Sequence, residues 1–370
     1  MKGIKLSTFA ARCALFTTCC ALFAACSQTD ETELPAVPIG FVPTVETQTR
    51  GTDFTKDNLT SLGVLAYLTQ GSSFNASSST PNFMYNQEVT KASGAATWEY
   101  APTKFWPANS NDKITFFAYA PHNPTGLTVP DITATGYPSF TYEVPSTEAS
   151  QTDLLAAIPL MNQSYSDNSG RISFEMKHTL TKVTIYIKSA DNVVGKKITT
   201  FSITTAKNGT LTFHTPSGTT DKGFTWSYPT PMVSETFTAT ATDFAVPNNI
   251  TAPKQLLATF FLLPYNQGST FNIAYTASGS ASSGNPPVQN ITLTGQPLPA
   301  CDQWAQGVSI TYTIAIEKKK IIITSEIHPT WDDGGEETIT GSATTIYVNN
   351  PDNPEWMEGN FDSVDGTEAP

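Results

Sequence analysis

Apolar residues in this chain recur at every second position far more often than at helical spacing. Val183, Ile185 and Ile187 alternate with Lys182, Thr184, Tyr186 and Lys188, and Val308, Ile310, Tyr312, Ile314 and Ile316 alternate with Ser309, Thr311, Thr313 and Ala315. Period-two alternation predicts half-buried strands of antiparallel type. From Lys113 to Ala120, Ile114, Phe116 and Ala118 face one way and Thr115, Phe117 and Tyr119 the other, so both sides carry apolar groups, as in a strand covered on two faces. Leu62 to Leu68, Asn82 to Val89 and Thr97 to Tyr100 read as further strands, and the longer apolar run Leu256 to Leu263 suits a central one. Thr152 to Met161 is the one stretch that hints at a helix, a short one. Near the start, Ile39 to Val45 is strand-like, but Pro43 demotes it to an edge or loosely held strand.

Many short strands separated by Gly, Pro, Asn and Ser loops predict sandwiches or barrels. The pattern divides into a signal segment at 1–25, a leader at 26–50, strand-rich segments at 51–172 and 173–335, and a C-terminal extension at 336–370. No solenoid-length repeat is present. From residue 332 onward there are ten acidic residues and no Lys or Arg, which reads as an acidic tail holding one short strand candidate, Thr345 to Val348.

Composition sharpens this picture. Charged residues are only 14% of the 370, while β-branched and aromatic residues are plentiful, a balance that favours strands over exposed helices. Lys2, Lys5 and Arg12 precede an apolar run from Cys13 to Ala25 that is too short to span a bilayer as a helix. Phe23-Ala24-Ala25-Cys26 then resembles a bacterial lipobox, which would make Cys26 an acylated N-terminus; ordinary cleavage near Ala25 without lipid is the alternative. A lipidated Cys26 leaves Cys301 without a partner, so no disulfide framework exists and stability must come from packed cores. Losing the signal removes three positive and no negative charges, taking the formal net charge from −12 to −15. So acidic a surface argues against nucleic acid or anionic headgroups as partners.

Nothing in the chain points to catalysis. His122, His178, His214 and His328 fall in separate segments without ligand spacing, and there is no phosphate-binding loop, dinucleotide fingerprint or nucleophile elbow. Neither a cofactor nor a resident metal is implied. Asp332-Asp333-Gly334-Gly335 reads as an exposed turn rather than a calcium site, and Cys301 as a buried structural thiol rather than a nucleophile. Tryptophans such as Trp98, Trp226, Trp304 and Trp356 could stack on glycans or fill cores. The Thr47-Gln48-Thr49-Arg50-Gly51-Thr52 stretch places a rare arginine in a polar, Gly-containing segment, where proteases cut; from composition alone the plainer reading is an incidental linker residue.

Several segments resemble the fimbrillin-like family, the subunits of type V pili of anaerobic Gram-negative bacteria. They are Trp98 to Pro107 (WEYAPTKFWP), Ile114 to Pro121 (ITFFAYAP), Asp153-Leu154-Leu155, Phe174 to Val183 (FEMKHTLTKV), and Trp304 to Gly307 before Tyr312-Thr313-Ile314, with Pro329-Thr330-Trp331 after them. The likeness spans about residues 40–335. It implies an all-β chain of two tandem transthyretin-like antiparallel β-sandwich domains with an acidic C-terminal extension. It implies a lipoprotein of the outer membrane and cell surface, cut between Arg50 and Gly51 by an arginine-specific protease. Loss of the leader strand would leave a groove that a strand of another pilus subunit fills. Donor candidates within 336–370 are Ile339, Ile346 and Val348, although that tail alternates apolar residues only weakly, which leaves a stalk, tip or anchor role open. A non-polymerising surface adhesin or glycan-binding lipoprotein is the competing expectation.

Overall fold

A computed structural model of the protein describes residues 36–45, 58–278, 288–317, 320–329, 331 and 339–347. Among these residues the chain forms four β-sheets and only one short α-helix, Tyr165–Asn168. The seven-stranded sheet runs in the order Gly40–Val45, Arg171–His178, Leu155–Ala157, Lys113–Ala120, Ser61–Thr69, Met84–Thr90, with Leu160–Gln163 also pairing Lys113–Ala120. A four-stranded sheet lines up Phe224–Ser227, Asn208–Phe213, Ser139–Glu143 and Leu127–Thr128. Of two five-stranded sheets, one orders Gln255–Leu262, Thr181–Ser189, Ser309–Ile316, Lys320–His328 and Ile339–Tyr347. The other orders Ser234–Thr238, Lys197–Ala206, Thr270–Ser278 and Val288–Pro297, with Phe244–Ala245 beside Lys197–Ala206.

Aromatic contacts join these sheets in pairs, as the alternating patterns require. Phe117 meets Phe213 at 5.3 Å and Tyr119 meets Phe140 at 5.1 Å, which packs the seven-stranded sheet on the four-stranded one. Phe201 lies 6.4 Å from Phe260 and joins the two five-stranded sheets. One continuous buried cluster runs through both pairs, from Leu65 and Tyr67 to Ile314 and Trp331. The segments expected as separate sandwiches, 51–172 and 173–335, share strands. Arg171–His178 lies within the first sheet, and Asn208–Phe213 pairs with Ser139–Glu143.

A second core lies on the opposite face of the seven-stranded sheet. Val64, Ala66, Ile114, Phe116, Ile172, Phe174 and Met176 meet there under a loop that carries Trp98, Tyr100 and Trp106, not under another sheet.

Several expectations change in the structure. The helix expected over Thr152 to Met161 is instead two short strands, Leu155–Ala157 and Leu160–Gln163, because Pro159 interrupts the run and each piece finds a partner on Lys113–Ala120. Thr97 to Tyr100 contributes a single bridge, Glu99 to Thr90, in place of a strand. Ser309–Ile316 is buried on both faces because it is the middle strand of its sheet. Gln255–Leu262 is an edge strand, not a central one. Its open N–H groups are met by side chains: Thr259 donates to Glu148 at 2.8 Å and Phe261 to Gln151 at 2.9 Å. Ladders are antiparallel apart from two, Gly40–Val45 on Arg171–His178 and Thr181–Ser189 on Ser309–Ile316.

Candidate functional site: the leader strand and its groove

The leader strand Gly40–Val45 forms the edge of the seven-stranded sheet, with a parallel register running from Gly40 beside Arg171 to Val45 beside Met176. Its alternation is plain in its burial: Phe41, Pro43 and Val45 point inward, Val42 and Thr44 outward. Gly40 donates its N–H to the Gly170 carbonyl at 3.0 Å, whereas Ile39 donates on the other side, to Lys104 at 2.9 Å. Continued alternation turns the odd-numbered backbone groups toward the open edge. Pro43, with no N–H, therefore costs the ladder nothing and blunts that edge.

The inward side chains fill a groove of defined shape. Ile39 is 1% exposed, Phe41 4% and Val45 7%. Phe41 stacks on Phe174 at 5.6 Å with rings 8° apart, and meets the edges of Tyr100 at 5.2 Å and Phe116 at 6.2 Å. Tyr100 also fixes the backbone, since its hydroxyl donates to the Ile39 carbonyl at 2.8 Å. Burial pushes the Tyr100 phenol above its ordinary pKa, partly offset by the Lys104 N–H that it accepts. Thr44 anchors the far end through its hydroxyl to the Phe174 carbonyl at 3.1 Å. At the near end, the Trp106 backbone N–H donates to the Val37 carbonyl at 3.0 Å. Gly170, at φ +86°, makes the turn into Arg171, and a Cβ there would sit 3.1 Å from Val37.

Two cavities border the strand: one of ≈ 540 Å³ touches Val37, Gly40, Trp98, Glu99 and Arg171, and one of ≈ 260 Å³ touches Val42, Pro43, Lys91 and Trp98. The seat is therefore only partly closed around the strand. What it holds is an extended segment whose inward side chains are apolar.

The tail strand Ile339–Tyr347 lies at the edge of a five-stranded sheet, antiparallel to Lys320–His328. Ile346 pairs with Ile321 and packs against the core, while Tyr347 is 60% exposed. Ile339 begins that strand beside Ile327. Val348, Cys26, Arg50 and Gly51 lie outside the described residues.

Among the described tryptophans, Trp106, Trp304 and Trp331 are buried and Trp98 and Trp226 half-buried; none is exposed as a flat sugar platform. Two features escaped the sequence reading. One is the three-ring seat of Phe41, drawn from three distant segments. The other is a buried pair, His178 to Asp153 at 2.9 Å, with the imidazole stacked 3.9 Å from Trp331. The Asp153-Leu154-Leu155 and Phe174-to-Val183 segments held both partners, but nothing local linked them.

Residues 47–331 match the family described as fimbrillin-like. The chain belongs to the fimbrillin-like family. Over 178 residues, 43% of this chain and 46% of the relative, it is 33% identical to the fimbrium subunit Fim1C of Phocaeicola vulgatus, so the match spans about half the length of that curated relative. In three dimensions it resembles a fimbrial protein from Bacteroides vulgatus, with a TM-score of 0.61 and 21% identity over 80% of this chain and 99% of that one. That likeness establishes a shared fold.

Proposed function

We propose that this fimbrillin-like protein is a structural subunit of a cell-surface type V pilus, and that its leader strand is a removable plug. Cys26 carries the lipid that holds the exported chain at the outer membrane. An arginine-specific protease cuts between Arg50 and Gly51, the leader departs, and a strand from another subunit takes its seat, supporting adhesion by the assembled fibre.

The observation that supports this reading is the leader strand itself: an edge strand at the N-terminal side of the fold, with Ile39, Phe41 and Val45 buried in a groove. Burying each such side chain is worth roughly 1.5–3 kcal/mol, so an empty groove is strongly sticky for an extended apolar segment. Unpaired backbone groups along Arg171–Met176 add to that attraction. Head-to-tail strand addition does not close on itself and so makes a filament. Mass spectrometry of fibres sheared from cells provides the test: an N-terminus at Gly51 is expected, and assembled fibres that retain residues 26–50 would refute the maturation step.

One observation favours a second reading, a subunit that caps or anchors a fibre or acts as a solitary adhesin. The tail strand that would serve as donor is docked on its own sheet, with only Ile346 of its described side chains packed on the core.

A further inference from the structure

We propose that the strand filling the vacated groove comes from a different polypeptide, one that presents a ring residue flanked at two-residue spacing by apolar groups, and not from residues 339–370 of a second copy of this chain. The inference rests on the removable-leader reading above and concerns who the partner is.

The groove has four inward subsites, now held by Ile39, Phe41, Pro43 and Val45. The second is the most demanding. Phe174 offers a ring face at 5.6 Å, and Tyr100 and Phe116 close the site on two other sides. An aliphatic side chain there leaves a void that the rigid surroundings cannot collapse around, and a polar one is buried without partners. The matching pattern is apolar, any, ring, any, apolar, any, apolar, which the leader itself meets.

Residues 339–370 do not meet it in any register. Its ring residues from 339 onward are Tyr347, Trp356 and Phe361. Tyr347 has Thr345 and Asn349 two positions away, Trp356 has Pro354 and Glu358, and Phe361 has Gly359 and Ser363. Reversing the strand direction leaves these neighbours the same, so neither parallel nor antiparallel entry helps. Placing Ile346 and Val348 in adjacent subsites leaves the ring seat without a ring and brings Thr344 and Asn350 to the flanking subsites. Ile346 is moreover already committed to the chain's own core. A chain whose groove and tail do not complement each other joins unlike neighbours, so it sits at a junction in a mixed fibre.

A displacement assay tests this. A protease recognition sequence replaces Thr47 to Thr52 in the 27–370 chain, the leader is nicked but left in place, and its release is followed by fluorescence anisotropy of a dye on the leader. Competing peptides are Val37 to Glu46, the same peptide carrying Phe41→Ala, and two tail peptides, residues 340–350 and 353–364. The leader peptide is expected to displace the bound leader, the Phe41→Ala peptide to need at least tenfold more, and the tail peptides to fail at hundredfold excess. The nicked chain alone is expected to stay monomeric by light scattering. A tail peptide acting within tenfold of the leader peptide, or self-polymerisation of the nicked chain, overturns the inference while leaving strand exchange intact. If the leader peptide itself exchanges under no condition, including dilute denaturant, the removable-leader reading fails and the inference with it.

Discussion

Substituting Phe41→Ala removes the residue on which leader docking leans hardest. Phe41 is 4% exposed and touches three rings, so the change loses transfer energy and leaves a cavity, together about 3–5 kcal/mol. Because the leader is an edge strand with one ladder partner, this loss falls on local docking more than on global unfolding. At about 1.4 kcal/mol per tenfold, the docked-to-detached ratio falls by roughly two to nearly four orders of magnitude. Hydrogen exchange read by mass spectrometry is the assay. Peptides covering Arg171 to Met176 should exchange faster by that factor, while those covering Thr181–Ser189 in the other sheet pair should not change. Val42→Ala is the control: Val42 is 40% exposed on the same strand, and the substitution should shift exchange by less than about 0.5 kcal/mol. Unchanged protection of Arg171 to Met176 in the Phe41→Ala protein, or equal loss everywhere, would refute the idea of an independently detachable leader.

Other outcomes can be checked directly. Arg50→Ala should leave the leader on the chain recovered from cells, seen as an intact N-terminal peptide by mass spectrometry, and should abolish incorporation into fibres. Gln151→Ala removes the acceptor of the Phe261 N–H and the donor to the Pro145 carbonyl, so about 1–3 kcal/mol of stability should disappear in calorimetry, with the fold retained. Asp221 accepts N–H groups from Gly223 and Ser217 as well as the Ser217 hydroxyl and His214, and these bonds hold its carboxyl well below the ordinary range. A depressed folded value contributes stability above the unfolded carboxylate value of about 4, lost as pH falls below it. Thermal melts at pH 7 and pH 2.5 should therefore differ less for Asp221→Asn than for the parent chain. Equal differences would show that the loop's hydrogen bonds do not depend on that charge.

The strands were legible in the sequence wherever two faces differ in polarity. Lys113 to Ala120, Val183 to Lys188 and the inward positions of the leader announce themselves through side chains two apart. What alternation cannot tell is what lies on the far face. The Thr and Ser positions of Ser309–Ile316 look solvent-bound but are covered, because these side chains are short and the strands on both sides flank them. Leu256 to Leu263 looks central because its apolar run is covered, yet one side is closed by Glu148 and Gln151 from over a hundred residues earlier. The Leu154 to Met161 run misleads because Leu, Ala and Met are good helix formers, and only the partner strand and Pro159 decide otherwise. For the groove, Ile39, Phe41 and Val45 were readable as a strand, but their seat was not: Tyr100, Phe116 and Phe174 share no local pattern with them, and only tertiary packing brings three rings around one.

The order of events at the ribosome follows from the position of the strand Gly40–Val45. It is the earliest-made of the described strands, yet its one ladder neighbour among them lies 130 residues further along the chain, as the Thr44 to Phe174 contact measures. At about 5–20 residues per second, an emerging leader waits roughly 7–26 s before a seat exists for it. It is thus a latecomer to its own fold despite being first out, a segment fitted onto a finished surface.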